Sequence, residues 1–404
     1  MFSDQFIKEM PKTDLHLHLD GSLRLSTLIE LAKKDKIELP SYTEEGLKEL
    51  VFKDKYGSLV EYLHGFMYTG MVMRSPENLE RISYELAIDN QNEGVRYIEA
   101  RFAPQLHIDN KDMTMKLVME SINKGMARAE KEFNARKEVV NKEEPPFKYG
   151  LIACAMRMFG KNFSPYYGSF YNLHSFSEPM EVIRMGALEL AKAMVKIRDE
   201  QGIPVVGFDL AGQEAGYPAS HFVEAYNYVH KNFMHKTVHA GEAYGAESIF
   251  QAITDLHADR IGHGYYMFDE NKVVSAEIED KKNYVSKLSS YVAEQRTTVE
   301  VCLTSNMQTN PEIKSIKDHA FKKMLEKKLS VTLCTDNRLV SNTTVSKELR
   351  LAVDNFSITP KMLEDIVLYG FKRSFYPGPY AERREYVRQV MNYYDKVAKK
   401  HGVV

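Results

Sequence analysis

The sequence predicts an α/β fold, the (β/α)8 TIM barrel, from two recurring patterns and from its length. Short apolar runs rich in β-branched residues appear about eight times along the 404 residues, and helical patterns lie between them. This alternation indicates a parallel sheet, and about eight repeats favour a closed barrel over an open doubly wound sheet. The length agrees, because such barrels often use ~250 residues or more as one domain.

The predicted strands follow the apolar runs in order along the chain. They are Lys12–Leu19, Val95–Phe102, Tyr149–Arg157, Pro204–Leu210, Lys236–His239, Ala258–His263, Thr298–Thr304 and Ser330–Thr335. Two of the segments between them, 115–129 and 183–197, repeat apolar residues at spacings of ~3 and ~4, the stripe of a helix that lies on a core.

We expect a single barrel domain over residues 1–404. The segment 134–147 combines high charge with paired prolines, which predicts a surface insertion. The segment 160–179 follows the third strand and reads as irregular, rich in Tyr, Phe, Ser and Asn. Because loops after barrel strands border the active face, this segment either shapes a pocket or packs as a surface loop.

Composition and charge narrow the class of partner. Lys and Arg total 54 against 56 Asp and Glu, a net charge of -2, which favours neither a nucleic acid nor an anionic membrane surface. The three cysteines form no Cys-x-x-Cys pair, and no stretch approaches the ~18 apolar residues of a membrane span. We therefore expect a cytoplasmic protein with a small-molecule partner, and the oligomeric state stays open.

Polar residues at the predicted strand ends indicate a metal site. His16 and His18 lie at i and i+2, so both imidazoles point to one side of the first strand. Two histidines at this spacing, with no other candidate ligand nearby, are more often solvent-facing or hydrogen-bonded than metal-bound. His239, His263 and Asp336 also end apolar runs, however, and a barrel gathers such residues at the C-terminal ends of its strands.

The types of residue favour a particular metal and chemistry. Imidazoles and a carboxylate without a thiolate suit zinc first, with iron, cobalt or manganese as substitutes. Zinc lowers the pKa of water to about 7, so metal-assisted hydrolysis is the leading reaction class. Glu242, three residues beyond His239, is a further residue able to coordinate a metal or move protons; the alternative is an ordinary surface carboxylate.

Five motifs resemble the adenosine deaminases of the metal-dependent hydrolase superfamily. They are TDLHLHLDGSLR, VVGFDLAGQE, VHAGE, RIGHG and TDN, in matching order between Pro11 and Pro377. The resemblance implies hydrolytic deamination of adenosine and 2'-deoxyadenosine to their inosine counterparts, with release of ammonia. It also implies one Zn2+ per chain, with four ligands: His16, His18, His239 and Asp336.

The resemblance assigns catalytic roles as well. Glu242 resembles the acid that protonates N1 of the purine, which makes C6 electrophilic. His263 resembles the histidine that orients the attacking water and assists its deprotonation, and Asp336 also holds the nucleophile.

Substrate contacts follow from the same motifs. Asp20 resembles the carboxylate that accepts a hydrogen bond from the ribose 5'-hydroxyl, which favours a purine nucleoside over a free base or a 5'-phosphate. Gly212 resembles the glycine whose N–H reaches N3, unless it simply ends a strand. Asn337 stands where many members carry Asp, and its amide can still donate to N7. His18 completes the predicted substrate contacts.

An apolar lid is the last predicted part of the pocket. Four residues recur at helical spacing and resemble the family lid, although a stripe at this spacing is more often core than lid: Leu59, Tyr62, Leu63 and Phe66. Arg101 and Arg157 either face the pocket or neutralise buried carboxylates such as Glu99, and we favour the second interpretation.

Three alternatives differ in substrate or in class. Relatives with the same metal chemistry act on adenine, N6-modified AMP or a 5'-modified adenosine such as aminodeoxyfutalosine, and Asp20 is the residue that discriminates among them. A cysteine-ligated base deaminase is unlike this chain, because its His-x-Glu and Pro-Cys-x-x-Cys signature is missing. A catalytically silent binding protein on the same fold is the third alternative.

Overall fold

Eight parallel strands form one sheet with the order β1 to β8. The structure is a computed structural model that describes residues 2–109, 111–310 and 312–403; the side chains of Leu59 and Val60 lie outside the description. The strands are β1 Lys12–His18, β2 Val95–Phe102, β3 Lys148–Met156, β4 Val205–Ala211, β5 His235–Ala240, β6 Arg260–His263, β7 Thr298–Val301 and β8 Val331–Leu333.

The sheet closes on itself where the chain leaves β8. The N–H of His18 donates to the carbonyl of Asp336 at 2.7 Å, and the N–H of Asp336 donates to the carbonyl of His16 at 2.8 Å. These bonds complete the circle that the parallel pairs β1–β2 through β7–β8 begin, which confirms the predicted (β/α)8 barrel. Closure also places Asp336 directly beside both histidines of β1.

Helices surround the barrel. They are α1 Asp4–Glu9, α2 Leu25–Lys34, α3 Glu44–Leu50, α4 Leu59–Val72, α5 Pro76–Asn92, α6 Met115–Asn134, α7 Lys137–Val140, α8 Pro165–Leu173, α9 Pro179–Gln201, α10 Val223–Lys231, α11 Ala246–Thr254, α12 Lys281–Gln295, α13 Leu303–Thr309, α14 Phe321–Glu326, α15 Val345–Asn355, α16 Pro360–Arg373 and α17 Tyr380–Lys400. The two predicted apolar stripes lie on α6 and α9, which confirms both helices. None of the helices in the described ranges has the length and apolar character needed to cross a bilayer.

Two predicted segments differ in the structure. The seventh strand ends at Val301, and the chain turns into α13, whose first turn is held by the buried Glu348 accepting from the N–H of Thr304 at 3.1 Å. The segment 160–179 is only partly irregular, because it contains α8, which Ser164 caps, and Tyr167 of this helix stacks on Phe159 with ring centroids 3.9 Å apart. The end of the seventh strand depends on Glu348, a distant partner that local patterns do not show, whereas the Ser164 cap and Pro165 at the start of α8 are a local signal that the sequence analysis did not use.

The segment 134–147 is mostly exposed, but four of its residues are buried: Val139, Glu144, Pro145 and Phe147. Glu144 is buried and forms an ion pair with Arg96 of β2. The short helix α7 lies within this segment. That the segment is an insertion into a single domain stays a prediction.

Buried charges line the interior of the barrel beneath the C-terminal ends of its strands. Arg260 donates Nε to Glu300 at 2.6 Å and forms a second ion pair with Glu99. Arg101 also neutralises buried carboxylates, as expected, but its partners are Asp209 at 3.0 Å and Glu300 at 2.9 Å instead of Glu99. These side chains are fully or almost fully buried, so each needs its partners.

Arg157 behaves differently from the expectation. Its Nη2 donates to the carbonyl of His239 at 2.6 Å and its Nη1 to the carbonyl of Tyr217 at 2.5 Å, so its partners are backbone oxygens instead of carboxylates. Among the described residues Arg157 forms no ion pair with Glu99, because its side chain extends past β4 to the end of β5, and buried carboxylates, Glu214 first, act on it through their charge alone. It ties the strand that carries His239 to the loop after β4.

Glu99→Ala leaves the Arg260 guanidinium buried with one carboxylate fewer. We expect the free energy of unfolding to fall by about 3–5 kcal/mol, because an uncompensated buried charge is costly. Urea unfolding followed by circular dichroism measures the change. The matched control is Glu120→Ala, which removes an exposed pair with Lys116 at 3.6 Å and should cost less than about 1 kcal/mol; equal losses in the two variants would contradict the role of Glu99.

Candidate metal and catalytic site

Three imidazoles and one carboxylate converge at the C-terminal ends of the strands. The Nε2 atom of His239 lies 3.0 Å from Nε2 of His16 and 3.2 Å from Nε2 of His18. Oδ1 of Asp336 lies 3.5 Å and 3.4 Å from the same two nitrogens of β1. The four residues predicted as ligands therefore present one atom each to a common point.

Carboxylates behind two of the rings determine which nitrogen carries the proton. Nδ1 of His16 lies 2.8 Å from Glu300, and Nδ1 of His239 lies 3.0 Å from Asp209. Because an ionised carboxylate only accepts hydrogen bonds, each Nδ1 carries the hydrogen and each Nε2 keeps a lone pair. Two lone pairs 3.0 Å apart repel each other, so this arrangement fits a metal ion between them.

His263 borders the same space. Its ligand atom lies within 4.8 Å of those of three other residues, all buried: His16, His239 and Asp336. Burial lowers the pKa of His263 to about 4, so the ring is neutral at physiological pH.

A chain of hydrogen bonds selects the tautomer of His263. The N–H of Phe321 donates to Nδ1 of His319 at 3.0 Å, so Nε2 of His319 carries a hydrogen and donates to Oδ1 of Asn306 at 3.2 Å. The Asn306 amide then donates Nδ2 to Nδ1 of His263 at 3.1 Å. The neutral His263 ring must therefore carry its hydrogen on Nε2, which lies 3.8 Å from Oε1 of Glu242.

Glu242 lies in a loop that a second buried carboxylate holds in place. Glu214 is fully buried and accepts five hydrogen bonds: from the N–H groups of Gly241 at 3.0 Å, Glu242 at 3.1 Å, Ala243 at 2.6 Å and Tyr244 at 2.9 Å, and from Oγ of Ser248 at 2.5 Å. These bonds occupy both oxygens of Glu214 and leave Glu242 as the free carboxyl of the loop. Burial raises the pKa of Glu242 to about 7, so its protonated form is available near neutral pH.

Asp336 and Asp20 each offer a carboxylate oxygen to the pocket. Ser305 donates Oγ to Oδ2 of Asp336 at 2.6 Å, which leaves Oδ1 directed at the imidazoles. Asp20 is 8% exposed, and its Oδ1 has no hydrogen-bond partner among the described residues. Burial raises the pKa of Asp20 to about 7. A buried acceptor without a partner is costly, so this oxygen is suited to a hydroxyl group of a ligand.

Gly212 directly follows β4 and has φ +96°. A Cβ built there would lie 3.5 Å from Cε of Met156, an ordinary contact, so the protein itself leaves room for a side chain. The positive φ is what demands glycine at this position.

Asn337 lies in a hydrogen-bonded group with α4. Its Nδ2 lies 2.7 Å from the hydroxyl of Tyr62, which in turn lies 2.7 Å from Oγ of Ser341. The other amide atom, Oδ1, is buried without a partner among the described residues. A Cβ added at Gly21 would lie 1.8 Å from this same oxygen, so Gly21 gives the amide its space.

The predicted lid residues share α4 but differ in their surroundings. Tyr62 is 2% exposed, and Leu63 and Phe66 are partly buried against the core. The side chain of Leu59 lies outside the described residues. The helix thus places one hydroxyl and two apolar side chains together, and the lid function stays a prediction.

Sequence reasoning missed the residues that hold the predicted ones. Glu300 and Asp209 stand inside apolar strands as TVEV and GFDLA, and a charge in such a run is costly unless it is paired. That signal could have marked both residues. Glu214 stood in a quoted motif without a role, and Asn306 followed the segment taken for the end of a strand. Their partners are 13 or more residues away, beyond any local pattern.

Comparison with known proteins identifies the relatives of this chain. The family model described as adenosine deaminase matches residues 11–164 and 181–393. An adenosine deaminase of Mycolicibacterium vanbaalenii is 34% identical, over 91% of this chain and 91% of its own length. The crystal structure of an arabidopsis N6-mAMP deaminase superimposes with a TM-score of 0.71 at 26% identity, over 96% of this chain and 99% of that one. An adenine deaminase from Arthrobacter aurescens, at 20% identity, TM-score 0.74 and the same coverage, shows the fold alone.

Glu214→Gln places an amide NH2 among groups that donate hydrogen bonds. We expect the backbone N–H groups of residues 241–244 to exchange with deuterium faster by about one to two orders of magnitude, because losing a buried hydrogen bond costs about 1–3 kcal/mol. Hydrogen–deuterium exchange with mass spectrometry measures this peptide. Glu224→Gln, at an exposed position of α10, is the control; unchanged exchange in the Glu214 variant would remove it as the anchor of the loop.

Proposed function

The chain belongs to the adenosine deaminase family, and from that premise we propose that it deaminates adenosine and 2'-deoxyadenosine hydrolytically. The products are the inosine counterparts and ammonia, a reaction of purine metabolism. The observation that carries the proposal is the convergence of the ligand atoms of His16, His18, His239 and Asp336 beside the protonatable carboxyl of Glu242. The three buried free thiols support a cytoplasmic location.

We propose zinc as the metal, one ion per chain. Three imidazole nitrogens and one carboxylate oxygen, without a thiolate, form a donor set that suits zinc. Zinc supplies a hydroxide nucleophile at neutral pH by lowering the pKa of water to about 7. The fixed Nδ1–H of His16 and of His239 orients both rings for this task.

The chain's own residues move the protons of the reaction. Glu242 donates its proton to N1 of the purine, which draws electron density from C6 as the oxygen adds there. Asp336 accepts the proton of the attacking water on Oδ1, because Ser305 holds Oδ2. His263, with its hydrogen on Nε2, donates a hydrogen bond to the attacking oxygen and orients it. Because that nitrogen already carries a hydrogen, Asp336 replaces His263 in the assistance to deprotonation that the sequence analysis expected. Asp336 passes the proton of the water to the amino group, which leaves C6 as ammonia, while the hydroxyl on C6 returns a proton to Glu242 as the C6=O bond of the product forms.

Recognition of the purine nucleoside involves groups that lack partners within the protein. The unpaired Oδ1 of Asp20 accepts a hydrogen bond from the ribose 5'-hydroxyl, and the ionised form of this carboxyl, populated above its pKa of about 7, disfavours a 5'-phosphate. The N–H of Gly212 donates to N3. Asn337 donates to N7 once its amide is turned so that Oδ1 accepts from Tyr62. Leu63 and Phe66 of α4 cover the base.

The assay that tests the function follows the ultraviolet change of adenosine to inosine, with and without a chelator. We expect chelator-sensitive turnover of adenosine and 2'-deoxyadenosine, and at least about a hundredfold lower kcat/KM for adenine and AMP, because Asp20 then lacks its hydroxyl or meets a phosphate. Turnover of AMP or of a 5'-modified adenosine in place of adenosine would keep the chemistry and overturn the substrate. No turnover of any purine by zinc-loaded protein would overturn the function.

Asn337→Ala removes the proposed contact to N7. We expect kcat/KM for adenosine to fall by about tenfold, the effect of one buried hydrogen bond, while zinc content stays at one ion per chain. Steady-state kinetics and metal analysis on the same sample give both quantities. Asn271→Ala, at an exposed position, is the matched control; unaltered kinetics in the Asn337 variant would remove this residue from the site.

A further inference from the structure

A strongly basic groove lies at the end of the barrel opposite the candidate site. It has a volume of about 690 Å³ and is lined by α17, by the end of α16 and by the segments that lead into β7 and β8. Arg296 and Ser330, which stand just before those two strands, mark its floor. The imidazoles and carboxylates described above lie at the other ends of the strands, so the groove is a separate surface.

Cations occupy both walls of the groove. On α17, Arg383, Arg384 and Arg388 project from adjacent turns of one face. Of these, Arg388 has an exposed carboxylate partner, Glu385 at 3.3 Å. Arg383 is held by its own bond from Nη2 to the carbonyl of Lys372 at 2.6 Å.

The facing wall adds four cations: Arg296, Lys328, Lys372 and Arg373. No carboxylate lines the groove within the described ranges, and no ion pair there includes any of these four residues. The whole chain has a net charge of -2, so seven cations in one concavity are a marked local segregation.

Arg373 shows the cost of this arrangement. It is partly buried, and burial together with the positive charges of Arg296 and Arg383 lowers its pKa. Its backbone cannot move away, because Arg260 inside the barrel donates Nη1 to the carbonyl of Arg373 at 2.9 Å. The fold therefore holds like charges together at a position that favours a bound anion.

We propose that this groove binds a linear polyphosphate. Cations on two facing walls match a chain of phosphates better than a single small anion, and the basic face of α17 extends over ~16 Å from Tyr380 to Met391. Tyr380 is 69% exposed, and the guanidinium carbons of Arg383 and Arg384 lie 5.9 Å and 6.0 Å from its ring centre. An aromatic ring beside the phosphate site is a platform for a base, so either inorganic polyphosphate or a nucleoside triphosphate is the source of the phosphates.

Isothermal titration calorimetry of the full chain tests the proposal, with inorganic tripolyphosphate as the probe. UTP, orthophosphate and a single-stranded oligouridylate are the comparison ligands; UTP contains no purine that the site at the other end would recognise. The groove variant is the double substitution Arg384→Ala and Arg388→Ala, both exposed. The matched control is Lys192→Ala with Lys196→Ala on the exposed face of α9, and Arg373→Gln is a second groove variant.

We expect one tripolyphosphate per chain, with affinity that falls between about 50 and 200 mM salt and is at least about tenfold weaker in both groove variants than in the control. Tighter binding of UTP than of tripolyphosphate would identify a nucleoside triphosphate as the source of the phosphates. Equal binding of UTP and tripolyphosphate would identify inorganic polyphosphate as that source. Equal heats in the groove variants and the control would overturn the proposal. Such heats would come from tripolyphosphate chelating the metal of the candidate site and not from binding in the groove. Orthophosphate binding as tight as tripolyphosphate, or binding of the oligouridylate alone, would also overturn it.

Discussion

The buried carboxylate of Glu300 is the interaction on which both the barrel and the site depend. It accepts hydrogen bonds from Arg101 at 2.9 Å, Arg260 at 2.6 Å, Thr237 at 3.0 Å and Nδ1 of His16 at 2.8 Å. Burial opposes ionisation of this carboxyl, but the two guanidinium groups hold its pKa well below the usual value. Its partners stand on β1, β2, β5 and β6, so the charge on β7 is compensated only in the closed barrel.

The same hydrogen bonds neutralise the buried carboxylates of the core and orient the imidazoles of the candidate site. The bonds that stabilise Glu300 and Asp209 also keep hydrogen on Nδ1 of His16 and His239, which turns both Nε2 lone pairs towards the same point. Arg101 bridges the two carboxylates and couples their orientations. The imidazoles of the proposed ligand set are therefore preorganised by the strands that carry them.

The sequence predicted what local patterns encode. Apolar runs located all eight strands, and residues at their ends, such as His239 and Asp336, were brought together as expected. What it did not predict depends on distant partners. The sequence predicted that the seventh strand continues beyond Val301. In the structure the chain enters α13 instead, and the carboxylate of Glu348, 44 residues beyond Thr304, accepts a hydrogen bond at the start of this helix. Glu214 escaped notice for the same reason, because its five donors belong to a different loop.

Because Gly21 has no side chain, its position limits which substitutions the sequence can accumulate during evolution. A methyl group at position 21 would overlap Oδ1 of Asn337, so the two positions are sterically dependent although 316 residues separate them. Any substitution at position 21 is tolerated only after residue 337 has become smaller or has turned away. The order in which mutations accumulate here is therefore constrained, because a larger residue 21 requires either a smaller residue 337 or another conformation of the Asn337 side chain. Epistasis between these two positions is thus a property of the backbone geometry, independent of any advantage in catalysis.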